Sequence, residues 1–247
     1  MNYESSCAAG PVRRGVAAAV LAVLCLTVAT GNSTARGVYL ADGQPDGVAL
    51  LPPPPEPGSD EQAADLATAR MVFKARTPEE ETRANKDGNL SLFNFAPAIG
   101  PDFEPGRHPR LEALFGRVKK ELSSPINASK NHWKRLRPYQ VDPALNLGAK
   151  EPSPSYPSGH STVGTVQALL LAELFPEKRA AILAFGREIG WDRVVLGKHF
   201  PTDVQAGRVL GQAIVRELMT SSAFRQDLEE ARAEVRGQAA QAGAVKK

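Results

Sequence analysis

From residue 59 onward the hydrophobic and polar positions follow a helical period. Leu111, Leu114, Phe115, Val118 and Leu122 recur three and four residues apart, which predicts an amphipathic helix over 109–122. Ser59 with Gln62 reads as a capping box opening a helix that runs to about Lys74. Thr77-Pro78-Glu79-Glu80 reads as a second start, with proline at the first helical position. Residues 125–137 read as a further helix stopped by Pro138, and 139–157 as a proline-bearing loop. The stretches 159–175, 178–196 and 201–219 read as three more helices, and 224–240 as a solvated helix or a frayed tail. No stretch alternates like a strand with hairpin chemistry beside it, and no internal repeat occurs. The predicted fold class is all-α, a single-domain helical bundle over 59–220, with residues 221–247 as a charged extension.

The N-terminal pattern is different. Arg13 and Arg14 precede an uncharged apolar stretch, 15–28, and small residues follow, with cleavage points after Ala29 or Ala35. Residues 1–35 therefore read as a secretory signal peptide, too short in its apolar part for a comfortable membrane span; the alternative is an uncleaved anchor. Residues 36–58 read as a proline-rich arm that wraps the surface or tethers the domain. The expected location is periplasmic or secreted. Cys7 and Cys25 both fall in the signal, so the mature chain would carry no disulfide, thiol nucleophile or cysteine-bound zinc. No later segment is apolar and long enough to span a bilayer, so no stable membrane insertion is expected after cleavage.

Composition narrows the function. The chain has 247 residues, 42% apolar and 23% charged, enough for a real core and too apolar for a disordered chain. Its formal charge of +3 and 6% aromatic content argue against a nucleic-acid partner, which needs a basic face or a stacking platform.

Three clusters carry chemistry. Lys130 and Arg137 lie seven residues apart, two helical turns, so the pattern puts both on one helix face; Lys134 and Arg135 nearby also fit a solvated basic face. Pro157-Ser158-Gly159-His160 directly precedes an apolar helix. Free N–H groups and the positive dipole end there favour an anion, and Gly159 allows close approach to the backbone; the plainer reading is a serine cap with an incidental histidine. Arg193, His199 and Asp203 form the third. Asp203 lies four residues after His199 and can fix its tautomer, leaving the other ring nitrogen free to attack; a capping histidine with a first-turn aspartate is the plainer reading. Together the clusters offer three cations, a helix N-terminus, a nucleophile and an acid, which is what phosphoryl transfer requires. His108 and His132 read as structural or surface residues.

Lys-x6-Arg-Pro, Pro-Ser-Gly-His and Arg-x5-His-x3-Asp in this order resemble the tripartite signature of the type 2 phosphatidic acid phosphatase superfamily, whose fold is shared with vanadium haloperoxidases. Within it the chain looks most like the bacterial class A nonspecific acid phosphatases, over roughly residues 60–220. The resemblance implies a phosphomonoesterase with no metal and no cofactor, acting on small-molecule phosphate esters. His199 would form a phosphohistidine, Asp203 would support it, and His160 would protonate the leaving alcohol. Lys130, Arg137, Arg193, Ser158 and Gly159 would hold the phosphoryl oxygens. Broad specificity, a phosphotransferase side activity, an acidic optimum and a homo-oligomer are further implications. Where the family commonly has serine before the third-motif arginine, this chain has Asp192, which would either pair with Arg193 and weaken its hold on phosphate or point to solvent. Specificity is expected from the 139–157 loop and from Leu90, Phe93, Phe95 and Ile99. Three alternatives stand beside this reading: a lipid phosphate or polyprenyl pyrophosphate phosphatase, a vanadium-dependent haloperoxidase, and a non-catalytic phosphate-binding module.

Overall fold

The computed structural model describes residues 39–41, 43–148 and 150–245. The signal-peptide reading of residues 1–35, with both cysteines, lies outside them. The described chain begins with Tyr39 and Leu40 buried in the main core. A single turn, α1 (Gly47–Leu50), starts at Asp46, whose carboxylate accepts from the backbone N–H groups of Val48 and Ala49. The prolines that follow run extended, and Tyr156 Oη donates to the Pro52 carbonyl at 2.6 Å.

Two capped helices come next. In α2 (Asp60–Ala75) Ser59 Oγ accepts from Gln62 N–H at 3.1 Å, while the Gln62 side chain turns away to Arg135. In α3 (Pro78–Asp87) the full capping box forms: Thr77 Oγ1 accepts from Glu80 N–H, and the Glu80 carboxylate accepts from Thr77 N–H. A short turn, α4 (Ala96–Ile99), leads to α5 (Pro109–Glu121). Its periodic face is buried as the spacing predicts, with Leu111, Leu114, Phe115, Val118 and Leu122 all in the core.

The helix expected over 125–137 is shorter. It runs as α6 (Ser123–Trp133), and Lys134 takes a left-handed conformation with φ 49°. Arg137 is extended, φ −81° and ψ 157°, because it precedes Pro138, whose ring disfavours the helical region for the residue before it. Lys130 and Arg137 therefore do not share a helix face; Arg137 sits at the start of the single turn α7 (Pro138–Val141).

The centre of the bundle is α8 (Gly159–Leu174), apolar on most sides and buried along nearly its whole length. It packs against α9 (Arg179–Val195) and α10 (Pro201–Thr220). Small residues let these helices approach closely. A Cβ on Gly186 would lie 2.4 Å from Ala168 Cβ, and one on Gly207 would lie 2.5 Å from the Ser158 carbonyl oxygen.

The last helix, α11 (Ser222–Val245), differs from the solvated or frayed tail expected of 224–240. Phe224, Leu228, Ala231 and Val235, spaced four, three and four apart, are buried in the same core as α5 and α8. Glu234 accepts from the backbone N–H groups of Arg110 and Leu111 at 3.1 Å, placing a carboxylate at the positive end of α5. The abundant charges mask this stripe in the sequence. Among the described residues there is no strand, and no helix is long and apolar enough to cross a membrane.

Candidate active site

The N-termini of α8 and α10 meet. Ser158 N–H donates to the Asp203 carbonyl at 2.9 Å, and Ser158 Oγ caps α8 by accepting from Ser161 N–H at 3.3 Å. Gly159 is the first residue of α8. A Cβ there would make ordinary van der Waals contact with Ile126 Cγ2 and Lys130 Cε, at 3.7 and 3.9 Å, so glycine leaves that volume unfilled between its backbone and the Lys130 side chain.

His199 lies just ahead of α10 and is buried. Its Nδ1 is 3.3 Å from Asp203 Oδ2, and its Nε2 is 3.2 Å from Arg137 Nη1. A guanidinium can only donate, so Nε2 presents its lone pair and the single proton of the neutral ring sits on Nδ1, facing the carboxylate. Asp203 is fully buried and fixed from several sides. Its Oδ2 accepts from Ser155 Oγ at 2.5 Å and from Phe200 N–H at 2.9 Å, and its Oδ1 accepts from Arg135 Nη1 at 2.6 Å.

Arg135 is thus no solvated cation. It is buried, stacks on the Phe200 ring at 4.1 Å, and also pairs with Asp65 of α2 at 2.8 Å. The neighbouring Lys134 is exposed. Arg135 and Ser155 are the residues that sequence reasoning missed here. Their partners are 68 and 48 residues away, and no local spacing announces them.

The structure brings all three predicted cations together. Lys130 Nζ donates to the carbonyls of Pro154 and Ser155. Arg137 is held by the Ser153 carbonyl at 2.9 Å and the Lys198 carbonyl at 3.0 Å. Between Arg137 and Arg193 stands Glu151. One oxygen is 2.9 Å from Arg137 Nη2 and the other accepts from Arg193 Nη2. Burial opposes its ionisation, but Arg193 and Arg137 outweigh that and hold the carboxyl below its ordinary range.

Burial and the surrounding cations shape the titrations. His199 is held well below an ordinary histidine by burial, then by Arg137, Lys130 and Arg193. Lys130 is lowered to about 8 by burial and by Arg137. His160, at the second position of α8, is lowered to about 4, first by burial and then by Arg193. Its Nε2 lies 3.0 Å from the Gly88 carbonyl, so Nε2 carries the proton of the neutral ring and Nδ1 is the nitrogen open to exchange.

Asp192 follows neither of its two expected courses. It is fully buried, so it does not point to solvent, and its carboxylate is taken by Arg83 of α3, 2.8 Å from Nη2. Beside it, the Asp87 carboxyl is pushed up to about 6 by burial and by the charge of Asp192. The carboxylate paired with Arg193 is Glu151.

The resulting cavity, about 280 Å³, is lined by Lys130, Arg137, Glu151, Gly159, His160 and His199, with Leu90, Leu122, Ile126 and Val163 as an apolar wall. Of the four residues expected near its rim, only Leu90 lines it. Phe95 is fully buried against Phe185, and Phe93 and Ile99 pack on the core. His108 is buried against Phe103 and Phe175, and His132 is exposed, as structural and surface residues should be.

Comparison with known proteins gives the same assignment. The family model described as the PAP2 superfamily matches residues 122–227. The acid phosphatase of Zymomonas mobilis is 34% identical over 202 residues, 77% of this chain and 75% of that protein. The non-specific acid phosphatase of Providencia stuartii is 32% identical over 210 residues, 79% of this chain and 84% of that protein. A shorter match, 44% over 57 residues, covers 23% of this chain and 25% of a lipid A 1-phosphatase from Rhizobium etli. The chain therefore belongs to the PAP2 superfamily and, within it, to the class A acid phosphatases, and is an enzyme of the phosphoric monoester hydrolase class.

Proposed function

We propose that the protein is an exported, metal-independent acid phosphatase of broad specificity that works through a phosphohistidine at His199. The observation that carries this reading is the orientation of His199, with Nδ1 toward Asp203 and the Nε2 lone pair among Arg137, Lys130 and Arg193.

As Arg137 Nη1 exchanges Nε2 for a phosphoryl oxygen, the Nε2 lone pair is released and attacks phosphorus, and the bond to the ester oxygen breaks with its electron pair going to that oxygen. His160 supplies the proton from Nδ1 to the departing alkoxide. Asp203 stabilises the positive charge that develops on the His199 ring. In the second half-reaction neutral His160 takes a proton from water, the hydroxide attacks phosphorus, and the P–N electron pair returns to Nε2. The cations and the α8 N-terminus neutralise the phosphoryl oxygens, a task a metal performs elsewhere. His160 must be protonated at the start, although burial and Arg193 lower it to about 4. The bound phosphoryl dianion favours its charged form, so substrate brings its own acid into play.

Export rests on the N-terminal pattern, and broad specificity on the resemblance to nonspecific relatives. A lipid phosphate phosphatase is the second reading, supported by the short lipid A 1-phosphatase match and the apolar cavity wall. Hydrolysis of a soluble aryl phosphate at about pH 6, where an unperturbed histidine is still partly charged, with excess chelator, is the first test. Chelator-resistant turnover, lost in His199→Ala with accumulation of no acid-labile phosphoenzyme, is expected. Turnover of phospholipid headgroups alone would favour the second reading. Phosphate binding without any turnover would point to a binding module.

A further inference from the structure

Glu151 is not among the motif residues, yet its two carboxylate oxygens occupy two cations at once. They engage Arg137 from the 134–137 turn and Arg193 from α9. A phosphoryl group held by the same pair would also present two oxygens to two guanidiniums. Both anions cannot be there together. We propose that Glu151 is an internal competitor for the phosphoryl site, so that substrate entry and phosphate release are exchanges of one anion for another. This inference rests on the reading of the cavity as a phosphatase site.

The surroundings separate this role from a merely structural one. Arg137 keeps its orientation without Glu151, because the carbonyls of Ser153 and Lys198 and the Ser153 hydroxyl accept from it. The Glu151 side chain reaches in from the mouth of the cavity, 27% exposed, whereas Arg137 is 1% exposed and Arg193 6%. Among the described residues, its backbone hydrogen bonds go to the Tyr139 hydroxyl, at 3.0 Å from N–H and 3.3 Å from C=O.

The exchange also keeps the two guanidiniums compensated at every stage. With Glu151 removed, they would face each other with no anion between them, and an incoming phosphoryl group would displace nothing. Its affinity should then rise by about the worth of one charge-assisted hydrogen bond, roughly tenfold.

The test uses Glu151→Gln, which keeps the shape and removes the charge, and Glu151→Ala, which removes both. For each, KM for a soluble aryl phosphate and the inhibition constant of inorganic phosphate should fall together by about tenfold. A structural role would instead raise both, or lower thermal stability with neither changed. Calorimetric binding of inorganic phosphate to wild type and variants runs alongside, independent of turnover. Tighter phosphate binding in both variants supports the inference even if no ester is hydrolysed, in which case the phosphatase reading fails alone. Turnover with unaltered or weakened phosphate binding in both variants overturns the inference and leaves that reading standing.

Discussion

Asp192 shows how a charge is assigned by its partner rather than by its neighbour in the chain. It precedes Arg193, but on α9 adjacent residues point about 100° apart, so Asp192 faces Arg83 of α3 while Arg193 reaches Glu151. Replacing Asp192 with serine should therefore leave KM for a phosphate ester within about twofold, and should lower the melting temperature through the loss of the ion pair with Arg83, worth about 1–3 kcal/mol of stability. The low end applies because the Arg83 side chain is 38% exposed and can rehydrate. A large rise in KM with unchanged stability would mean that the carboxylate acts on the clamp after all. At this scale the motif residues were legible, because Lys130, Arg137, Ser158, Gly159, His160, Arg193, His199 and Asp203 keep short, ordered spacings. Arg135, Ser155 and Glu151 were not. Each acquires its role from a partner on another element, and arginine or glutamate beside prolines looks the same whether buried or solvated.

At the scale of elements, the seam between α8 and α10 decides how well the two helix N-termini are aligned. Gly207 sits where α10 passes the first turn of α8, and a side chain there would meet a backbone carbonyl, which cannot rotate away. Gly207→Ala should cost about 1–3 kcal/mol by overpacking and should reduce turnover beyond its effect on stability, since the clash falls on Ser158 itself. Thermal melts paired with kcat would read both effects; a variant as active and as stable as wild type would show that the seam relaxes freely. Helix existence was readable from period and caps, as α3 and α5 illustrate. Helix ends were less so. The stop at Trp133 depends on Lys134 entering the left-handed region, which lysine rarely signals, although the extended Arg137 follows from the proline after it. The buried stripe of α11 was present in the spacing and hidden by composition.

For the whole molecule, two histidines that stay neutral when folded make stability depend on pH. His199 and His160 are both lowered in the fold, so the unfolded chain binds protons that the native one refuses. Their contribution is complete above about pH 6.5 and is lost as pH falls toward the folded values, at roughly 1.4 kcal/mol per pH unit for each group. The empty protein should melt at a lower temperature at about pH 5 than at about pH 7, and saturating inorganic phosphate should narrow the gap by favouring the charged form of His160. The Asp87 carboxyl, raised to about 6, works in the opposite sense over the same range and offsets about one of the two rings, so the net fall in acid is that of the other; a melting temperature independent of pH in a variant with Asp87→Asn would contradict the burial of these rings. An enzyme active in acid would then be one that its ligand protects in acid.

The ion pair between Arg135 and Asp65 has a practical corollary for protein engineering. Asp65 also accepts from the Thr202 backbone N–H at 3.2 Å, so one aspartate on α2 braces both Arg135 and the first turn of α10. Yet α2 lies wholly outside the stretch, 122–227, that carries the family signature. A fragment trimmed to the signature would retain every motif residue and strand Arg135 without its counter-ion. In a chimera of two such phosphatases, α2 and the turn bearing Arg135 should travel as a single cassette, with a crossover placed before Ser59 rather than between them.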